Sequence, residues 1–128
     1  MYNFYLTKEE EKNMKNYYEY ERSNPLNDTI NRAFELTPVD GRKSFCGRCK
    51  VLESDSKYYL LSYTTVVCYW DKTNNKFAKL WNDYSATTMR HINSFMAFIG
   101  LPSCSGKHWW SSLSYGFEYT VSELINIV

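Results

Sequence analysis

The sequence predicts an α+β fold, in which a small antiparallel β-meander packs against one central helix. Three observations predict it. A capped stretch with helical spacing of apolar residues covers about residues 85–100. Residues 43–81 are rich in β-branched and aromatic side chains, and short polar turns divide them. Short turns between consecutive strands are typical of antiparallel pairing, because parallel neighbours need long crossover connections.

The length of 128 residues suits a single domain with a modest core. We expect residues 1–40 to form a helical N-terminal extension with two helices. Residues 41–113 should form the sheet-plus-helix core, and residues 114–128 a C-terminal strand and tail. The sequence contains no repeat or low-complexity segment that would divide the domain further.

Capping signals predict the two helices of the extension. Thr7 and Glu10 form a capping-box pattern, so a polar helix should follow to about Arg22. Asn24 and Pro25 suit the cap and first position of a second helix, and apolar residues continue at helical spacing after them. The first helix has only a thin apolar stripe, which is typical of a loosely docked or partner-facing helix.

Three strands are predicted in the core, over about residues 43–53, 58–70 and 76–81. Ser85 then caps the central helix, whose apolar stripe should face the sheet. Gly100 has the place of the left-handed residue that ends such a helix.

The rest of the chain is short. Ser105 can cap one more helix through about Leu113. From residue 115 the pattern favours a strand, followed by an apolar end that must pack on the core. No secretion signal precedes these elements, and no apolar run approaches the length of a membrane span. We therefore expect a cytoplasmic protein with no membrane partner and with reduced cysteines.

Charge is unevenly distributed along the chain. Residues 1–40 carry five Lys and Arg against eight Asp and Glu, whereas residues 41–107 carry ten against four. An acidic N-terminal part is compatible with repulsion of nucleic acid, with mimicry of it, or with a solvated face. The basic middle is typical of a surface for nucleic acid or an acidic partner, or of a solvated face. Its strands interleave basic and aromatic residues: Arg42, Lys43, Arg48, Lys50, Lys76 and Lys79 with Phe45, Tyr58, Tyr59, Tyr63 and Phe77.

Tyrosine accounts for 12 residues and raises the aromatic share to 18%. Such a surplus is typical of a binding surface, and an aromatic core is an equal alternative. The candidates for a partner-binding surface are Tyr17, Tyr18, Tyr20, Tyr58, Tyr63, Arg90 and Trp109.

Cys46 and Cys49 have the spacing with which a zinc knuckle supplies two thiolates. The candidates for the other two ligands are Cys104 and His108, with Cys68 or His91 as alternatives. On an unbroken strand Cys46 and Cys49 would face opposite sides, so a knuckle needs the chain to turn at Gly47. One structural zinc, a redox dithiol and free thiols all stay open.

The sequence contains no recognisable catalytic motif. His91 follows Thr87 and Thr88 by about one helical turn, so a nucleophile–base pair is conceivable. Its orienting acid would have to be Asp83, which precedes the helix. We interpret His91 as a residue at the edge of the core, bonded to a threonine or a backbone carbonyl, and predict that the protein is not an enzyme.

Three motifs occur in order: Ser44-Phe45-x-Gly47, then Leu61-Ser62-Tyr63-x-Thr65-x-Val67, then Trp81-x-x-Tyr84-Ser85-x-Thr87-Thr88-x-Arg90-His91-Ile92-Asn93-x-Phe95, and Gly100, Gly106, Lys107 and Trp110 follow. In these motifs the chain resembles a family of small uncharacterised proteins carried by phages and mobile elements of low-GC Gram-positive bacteria. Members of that family usually have an aromatic residue at the place of Cys46 and a small residue at the place of Cys49. Both cysteines are therefore peculiar to this chain.

The resemblance implies a function, because short phage proteins without an enzyme motif are mostly adaptors or inhibitors of host machinery. Anti-CRISPR proteins are similar single small domains. We therefore expect an inhibitor of a host defence nuclease that acts in the bacterial cytosol, with a type II Cas effector or its guide-RNA complex as leading target and DNA binding or loading as the blocked step. The alternative is a small nucleic-acid-binding phage accessory or regulatory protein, based on the basic middle of the chain.

Overall fold

A computed structural model describes residues 6–103 and 106–127 of the chain. Within this part the fold is α+β, as predicted, with four helices and a six-stranded sheet. The helices are α1 Lys8–Ser23, α2 Ala86–Phe98, α3 Lys107–Ser112 and α4 Val121–Ile125. The strands are β1 Arg32–Glu35, β2 Cys49–Glu53, β3 Lys57–Ser62, β4 Thr65–Asp71, β5 Lys76–Lys79 and β6 Glu118–Tyr119.

The sheet is an antiparallel meander in which spatial order equals chain order, β1 to β6. Cys49 of β2 pairs with Ser62 of β3, and Ser62 pairs in turn with Thr65 of β4. Only two residues, Tyr63 and Thr64, therefore connect β3 to β4. This tight turn and the start of β2 lie at the same end of the sheet.

Helices cover both faces of the sheet. On the first face, which we call the α2 face, Ile92, Phe95 and Met96 of α2 pack with Trp110 of α3 and the strand residues Val51, Leu60 and Phe77. On the second, the α1 face, Met14 and Tyr17 of α1 pack on Leu52, Tyr59 and Leu61. Successive strand residues point to opposite faces, so Cys49 and Val51 face α2 while Lys50 and Leu52 face α1.

The central helix α2 is confirmed with both of its predicted ends. Ser85 has an extended backbone, and its hydroxyl accepts a hydrogen bond from the Thr88 N–H at 3.0 Å. Gly100 follows the helix with a φ of 82°, a left-handed conformation that favours glycine.

The prediction of a second N-terminal helix is wrong. Residues 24–31 are irregular, and the chain then forms β1, which pairs with β2 from Arg32 opposite Glu53 to Glu35 opposite Lys50. Ala33 packs toward α1 while Phe34 packs toward α2, the alternation of a strand. The expected helical extension over residues 1–40 therefore includes α1 and one strand of the sheet.

Two of the predicted strands and the predicted tail also differ from the structure. The strand predicted over 58–70 is two strands, β3 and β4, and the strand predicted from residue 43 begins only at Cys49. Ser105 lies outside the described residues, and α3 begins at Lys107. The tail forms β6 and then α4, which Thr120 and Glu123 begin with a capping box. In the part of the chain that the structure describes, no helix has the length and apolar character to cross a membrane.

Candidate functional site

A pocket of about 270 Å³ opens at the end of the sheet where β2 begins, between two turns and the first half of α2. Its lining combines three arginines with two aromatic rings and several small polar groups. The lining residues are Arg42, Ser44, Phe45, Cys46, Arg48, Tyr63, Thr87, Arg90 and His91. We call it the arginine pocket.

Two turns with left-handed residues form one wall of this pocket. In the first, the Arg48 N–H donates to the Phe45 carbonyl at 3.1 Å, and Cys46 and Gly47 have φ of 55° and 74°. In the second, Tyr63 has a φ of 56°. The Tyr63 N–H donates to the Arg48 carbonyl at 2.8 Å and so joins the two turns. A left-handed non-glycine residue costs on the order of 1 kcal/mol, so the surrounding contacts must hold Cys46 and Tyr63 there.

The arginines lie against the aromatic rings. The Arg90 guanidinium carbon is 5.2 Å from the centre of the Phe45 ring, and that of Arg48 is 5.7 Å from the centre of the Tyr63 ring. Such cation–π contacts hold guanidinium groups in place while leaving their N–H groups free to bind other partners.

One carboxylate partly neutralises the pocket. Asp40 forms an ion pair with Nε of Arg90, and this arginine holds the pKa of the carboxyl below its usual value. The Nη2 of Arg90 is buried and has no hydrogen-bond partner in the part of the chain described here. Three arginines against one carboxylate leave two excess positive charges, and one guanidinium nitrogen lacks an acceptor.

A buried hydroxyl–imidazole network lies behind the pocket. The Ser62 hydroxyl is 2.8 Å from Nδ1 of His91 and 3.1 Å from the Thr88 hydroxyl. Burial, and then the nearby Arg90 charge, lower the pKa of His91 to about 4, so the imidazole is neutral at pH 7. The Phe45 ring packs edge-on against His91 with a centroid distance of 4.6 Å.

This network differs from the one expected from sequence. His91 bonds to Ser62 of β3, which lies outside its own helix, and reaches Thr88 only through that hydroxyl. Asp83 does not orient the imidazole, because its carboxylate accepts the Tyr84 N–H instead. Ser62 is only 2% exposed, so its hydroxyl cannot meet a substrate in this conformation. We interpret the network as a rigid support for the pocket, and the absence of enzymatic activity stays a prediction.

A second, larger cavity of about 530 Å³ lies on the α1 face, beside the same two turns. It is lined by Asn16, Glu19, Tyr20, Ser23, Asn24, Gly47, Lys50, Leu61, Tyr63 and Thr64. We call it the Lys50 cavity. Tyr63 lines both this cavity and the arginine pocket.

Lys50 is buried although it carries an ammonium group. It is 5% exposed, and burial lowers its pKa. Glu35 attracts it from a distance, but no carboxylate of the described residues lies within ion-pair distance. Burial and a hydrogen bond with Glu9 raise the pKa of Glu35. The prediction of Lys50 as a basic surface residue is therefore wrong, because its strand position faces the underside of α1.

Comparison with known families gives one match. Residues 34–112 match a family of unknown function (DUF8033). The chain belongs to this family. The matched segment contains every lining residue of the arginine pocket, whereas α1, β6 and α4 lie outside it. No curated protein and no solved structure matches the chain.

The structure separates the seven residues predicted to bind a partner. Tyr63 and Arg90 meet in the arginine pocket, and Tyr20 lines the neighbouring Lys50 cavity. Tyr18 is exposed on α1. Half-buried Tyr58 packs against Phe98 on the α2 face. Tyr17 and Trp109 are core residues, 4% and 6% exposed, so this structure leaves little of either side chain for a partner to contact, and their role in binding stays a prediction.

The proposed zinc ligands are only partly placed. The chain does turn at Gly47, and Cys46 is exposed on that turn. Cys49 is buried in the core of the α2 face, where burial raises its pKa and favours the neutral thiol. His108 is exposed on α3, and Cys104 lies outside the described residues. Among the described residues no three His, Cys, Asp or Glu side chains are grouped to hold a metal ion, and structural zinc stays a prediction.

Two exposed arginines of the pocket were not predicted to lie together. Arg42 and Arg48 were recognised only as members of a basic stretch of strand, yet both lie in loops around the pocket. The available signal was their position within and beside the motif Ser44-Phe45-x-Gly47, which the fold brings to Tyr63 and Arg90.

Proposed function

We propose that the protein binds nucleic acid through the arginine pocket. The observation that carries this proposal is the convergence of Arg42, Arg48 and Arg90 on one pocket, where Asp40 is the one carboxylate of the described residues that pairs with them. Guanidinium groups bind phosphate oxygens with paired N–H donors, and aromatic rings beside them stack on bases. Phe45 is buried, so the exposed Tyr63 ring is the stacking surface available to a base.

The charge distribution of α1 supports direct binding rather than mimicry of nucleic acid. Glu10 is engaged by Arg32 and by the capping box, and Glu21 accepts the Leu26 N–H. The exposed positions of α1 carry both signs: Lys8, Lys12, Lys15 and Arg22 with Glu9, Glu11 and Glu19. The net acidity of residues 1–40 therefore does not produce an acidic helix face.

Inhibition of a host defence nuclease in the bacterial cytosol is the second candidate function, with a type II Cas effector as its leading target. Exposed apolar residues outside the family match favour it, because choice of a protein partner specific to this chain would lie there. They are Tyr18, Tyr115, Phe117 and Ile125. The two functions are compatible, since an inhibitor that contacts guide RNA or target DNA would use the same pocket. Purified Cas effectors that neither bind the protein nor lose cleavage in its presence would contradict this candidate.

The first proposal is tested by fluorescence anisotropy with labelled single-stranded and duplex oligonucleotides over a range of salt concentrations. Three phosphate contacts predict a slope of log affinity against log salt of about −2 for a single strand. Arg42→Gln, Arg48→Gln and Arg90→Gln should each weaken binding about tenfold, because each removes a charge-assisted hydrogen bond.

Arg32→Gln is the matched control. Arg32 is also an exposed arginine near an aromatic ring, but it lies at the opposite end of β2, where β1 pairs with Glu53. It should bind as the wild type does. Affinity without a salt slope, or equal affinity of the Arg90 and Arg32 variants, would overturn the proposal.

A further inference from the structure

Tyr63 stands between two sites of different character. On one side its ring meets Arg48 in the positively charged arginine pocket, and on the other it lines the Lys50 cavity. The side chain is 44% exposed, and its backbone is held in the costly left-handed conformation. An exposed ring fixed in this way has a stacking surface at the boundary of the two sites.

The Lys50 cavity is polar but carries no net charge. Among the described residues that line it, Lys50 is the one cation and Glu19 the one carboxylate. The amides of Asn16 and Asn24 and the hydroxyls of Ser23 and Thr64 add both donors and acceptors, while Leu61 and the Tyr20 ring add flat apolar surface. Its volume of about 530 Å³ lies within the range of small-molecule sites. This lining suits a neutral, flat group with mixed donors and acceptors better than an anion.

The position of Lys50 indicates which atom a ligand in this cavity should offer. The Lys50 ammonium forms no ion pair with the described residues and lines the cavity, so a ligand that displaces water from it must offer an oxygen acceptor in its place. The carbonyl oxygen of a nucleobase is such an acceptor. Hydrogen bonds from lysine or arginine to the carbonyl oxygen of guanine are common in protein–DNA complexes.

We infer that the Lys50 cavity is a base pocket, which takes one unpaired nucleobase of the strand whose phosphate lies in the arginine pocket. This inference rests on the proposed nucleic-acid binding. The edge of the base that carries its carbonyl oxygen contacts Lys50, its N–H groups face Glu19 and the amides, and Tyr63 stacks at the entrance. The protein therefore selects single strands over duplexes, because pairing hides that edge. It also selects bases with a carbonyl oxygen over adenine, which has none.

The test compares oligo(dT), oligo(dC) and oligo(dA) of equal length with a mixed-sequence duplex, again by anisotropy across salt concentrations. The wild type should bind oligo(dT) and oligo(dC) about tenfold more tightly than oligo(dA) and the duplex, since an unmet buried polar group costs on the order of 1–3 kcal/mol. Lys50→Met, which keeps the length of the side chain, should abolish this preference and leave the salt slope unchanged.

Two controls separate the possible failures. Lys57→Met removes a half-buried lysine from the other end of β3 and should leave the preference intact. Asn16→Ala removes one half-buried amide that lines the cavity, so it reports on base selection even if Lys50→Met fails to fold, and it should reduce the preference several-fold.

Each result has one meaning. Binding that depends on salt and on Arg90 but shows no preference among strands, or a preference that survives both Lys50→Met and Asn16→Ala, overturns the base pocket and leaves the proposed function standing. Absence of any salt-dependent binding overturns the proposed function itself.

Discussion

The two faces of the sheet treat their buried polar groups differently. On the α2 face, the buried ammonium of Lys79 donates to the carbonyls of Trp110 and Leu113, and His91 bonds to Ser62. On the α1 face, the buried amide nitrogen of Asn13 has no partner among the described residues, and Lys50 has no ion pair there. Among the described residues, the buried groups beneath α2 and α3 therefore find partners within the chain, and Nη2 of Arg90, at the end of that face, is the exception, whereas beneath α1 the Asn13 amide nitrogen has no acceptor.

This difference indicates that the two faces have different roles. Buried polar groups in folded proteins are nearly always hydrogen-bonded, so an exception is informative. The α2 face has the larger apolar core, and its buried Lys79 and His91 are hydrogen-bonded, which suits a structural role. The α1 face has the smaller core and the larger cavity, and its covering helix lies outside the family match. We therefore expect stability to depend mostly on the α2 face and binding specificity to depend on the α1 face.

The largest effect is expected from matched methionine truncations on the two faces. Met96→Ala on α2 should lower the free energy of unfolding by about 4 kcal/mol, and Met14→Ala on α1 by about 2 kcal/mol. Met96 is enclosed by the larger core, whereas α1 can settle toward the adjoining smaller one. Urea denaturation measures both values. Equal losses would show that the two faces contribute alike to stability.

A smaller effect is expected from acid. The pKa of His91 is lowered to about 4 in the folded protein, whereas an unfolded histidine titrates near 6.5, so the unfolded chain binds the proton more readily. The free energy of unfolding should therefore fall by about 2–3 kcal/mol as the pH decreases from 7 to 4. Urea titrations at several pH values measure it.

Two variants test whether His91 causes this loss of stability in acid. His91→Phe should remove most of the loss between pH 6.5 and 4, although it also costs stability at neutral pH because Ser62 keeps only Thr88 of its two hydrogen-bond partners. His108→Gln, at an exposed position on α3, should retain the loss. An acid dependence that follows His108 would contradict a neutral, buried His91. The pKa values of Asp40 and Asp71 are also lowered, and the stability that these two carboxylates contribute is lost mainly at more acidic pH.

The smallest effect is expected at Asn13. Replacing a buried amide whose nitrogen has no partner by an apolar side chain of similar size removes a desolvation cost. Asn13→Leu should therefore raise the melting temperature by a few degrees, which corresponds to about 1 kcal/mol. Asn93→Leu, at a half-buried position on α2, is the comparison and should not stabilise the protein. A destabilised Asn13→Leu variant would mean that the amide has a structural role on the α1 face.

Local signals explain what could be predicted. Ser85 and Gly100 define the ends of α2 through their own backbone preferences, and the Thr7 capping box defines the start of α1. The helix predicted after Pro25 failed because its apolar spacing is compatible with a helix, while pairing with β2, almost twenty residues away, decides for a strand.

The candidate site was harder to predict for the same reason. Tyr63 occupies a tight turn without glycine, proline or asparagine, so the stretch 58–70 has the composition of one strand. Tyr63 and Arg90 were named individually, but no spacing along the chain shows that they meet Arg42 and Arg48. Burial of Lys50 depends on where α1 docks, which its sequence alone does not reveal.

The hydrogen bond from the Tyr63 N–H to the Arg48 carbonyl has a consequence for ligand binding. It makes the two turns one mechanical unit, and each turn contributes to the walls of both the arginine pocket and the Lys50 cavity. A ligand that shifts this unit from one side changes the shape offered on the other. Thermodynamic reciprocity then requires that occupancy of either site alter the affinity of the other by the same factor.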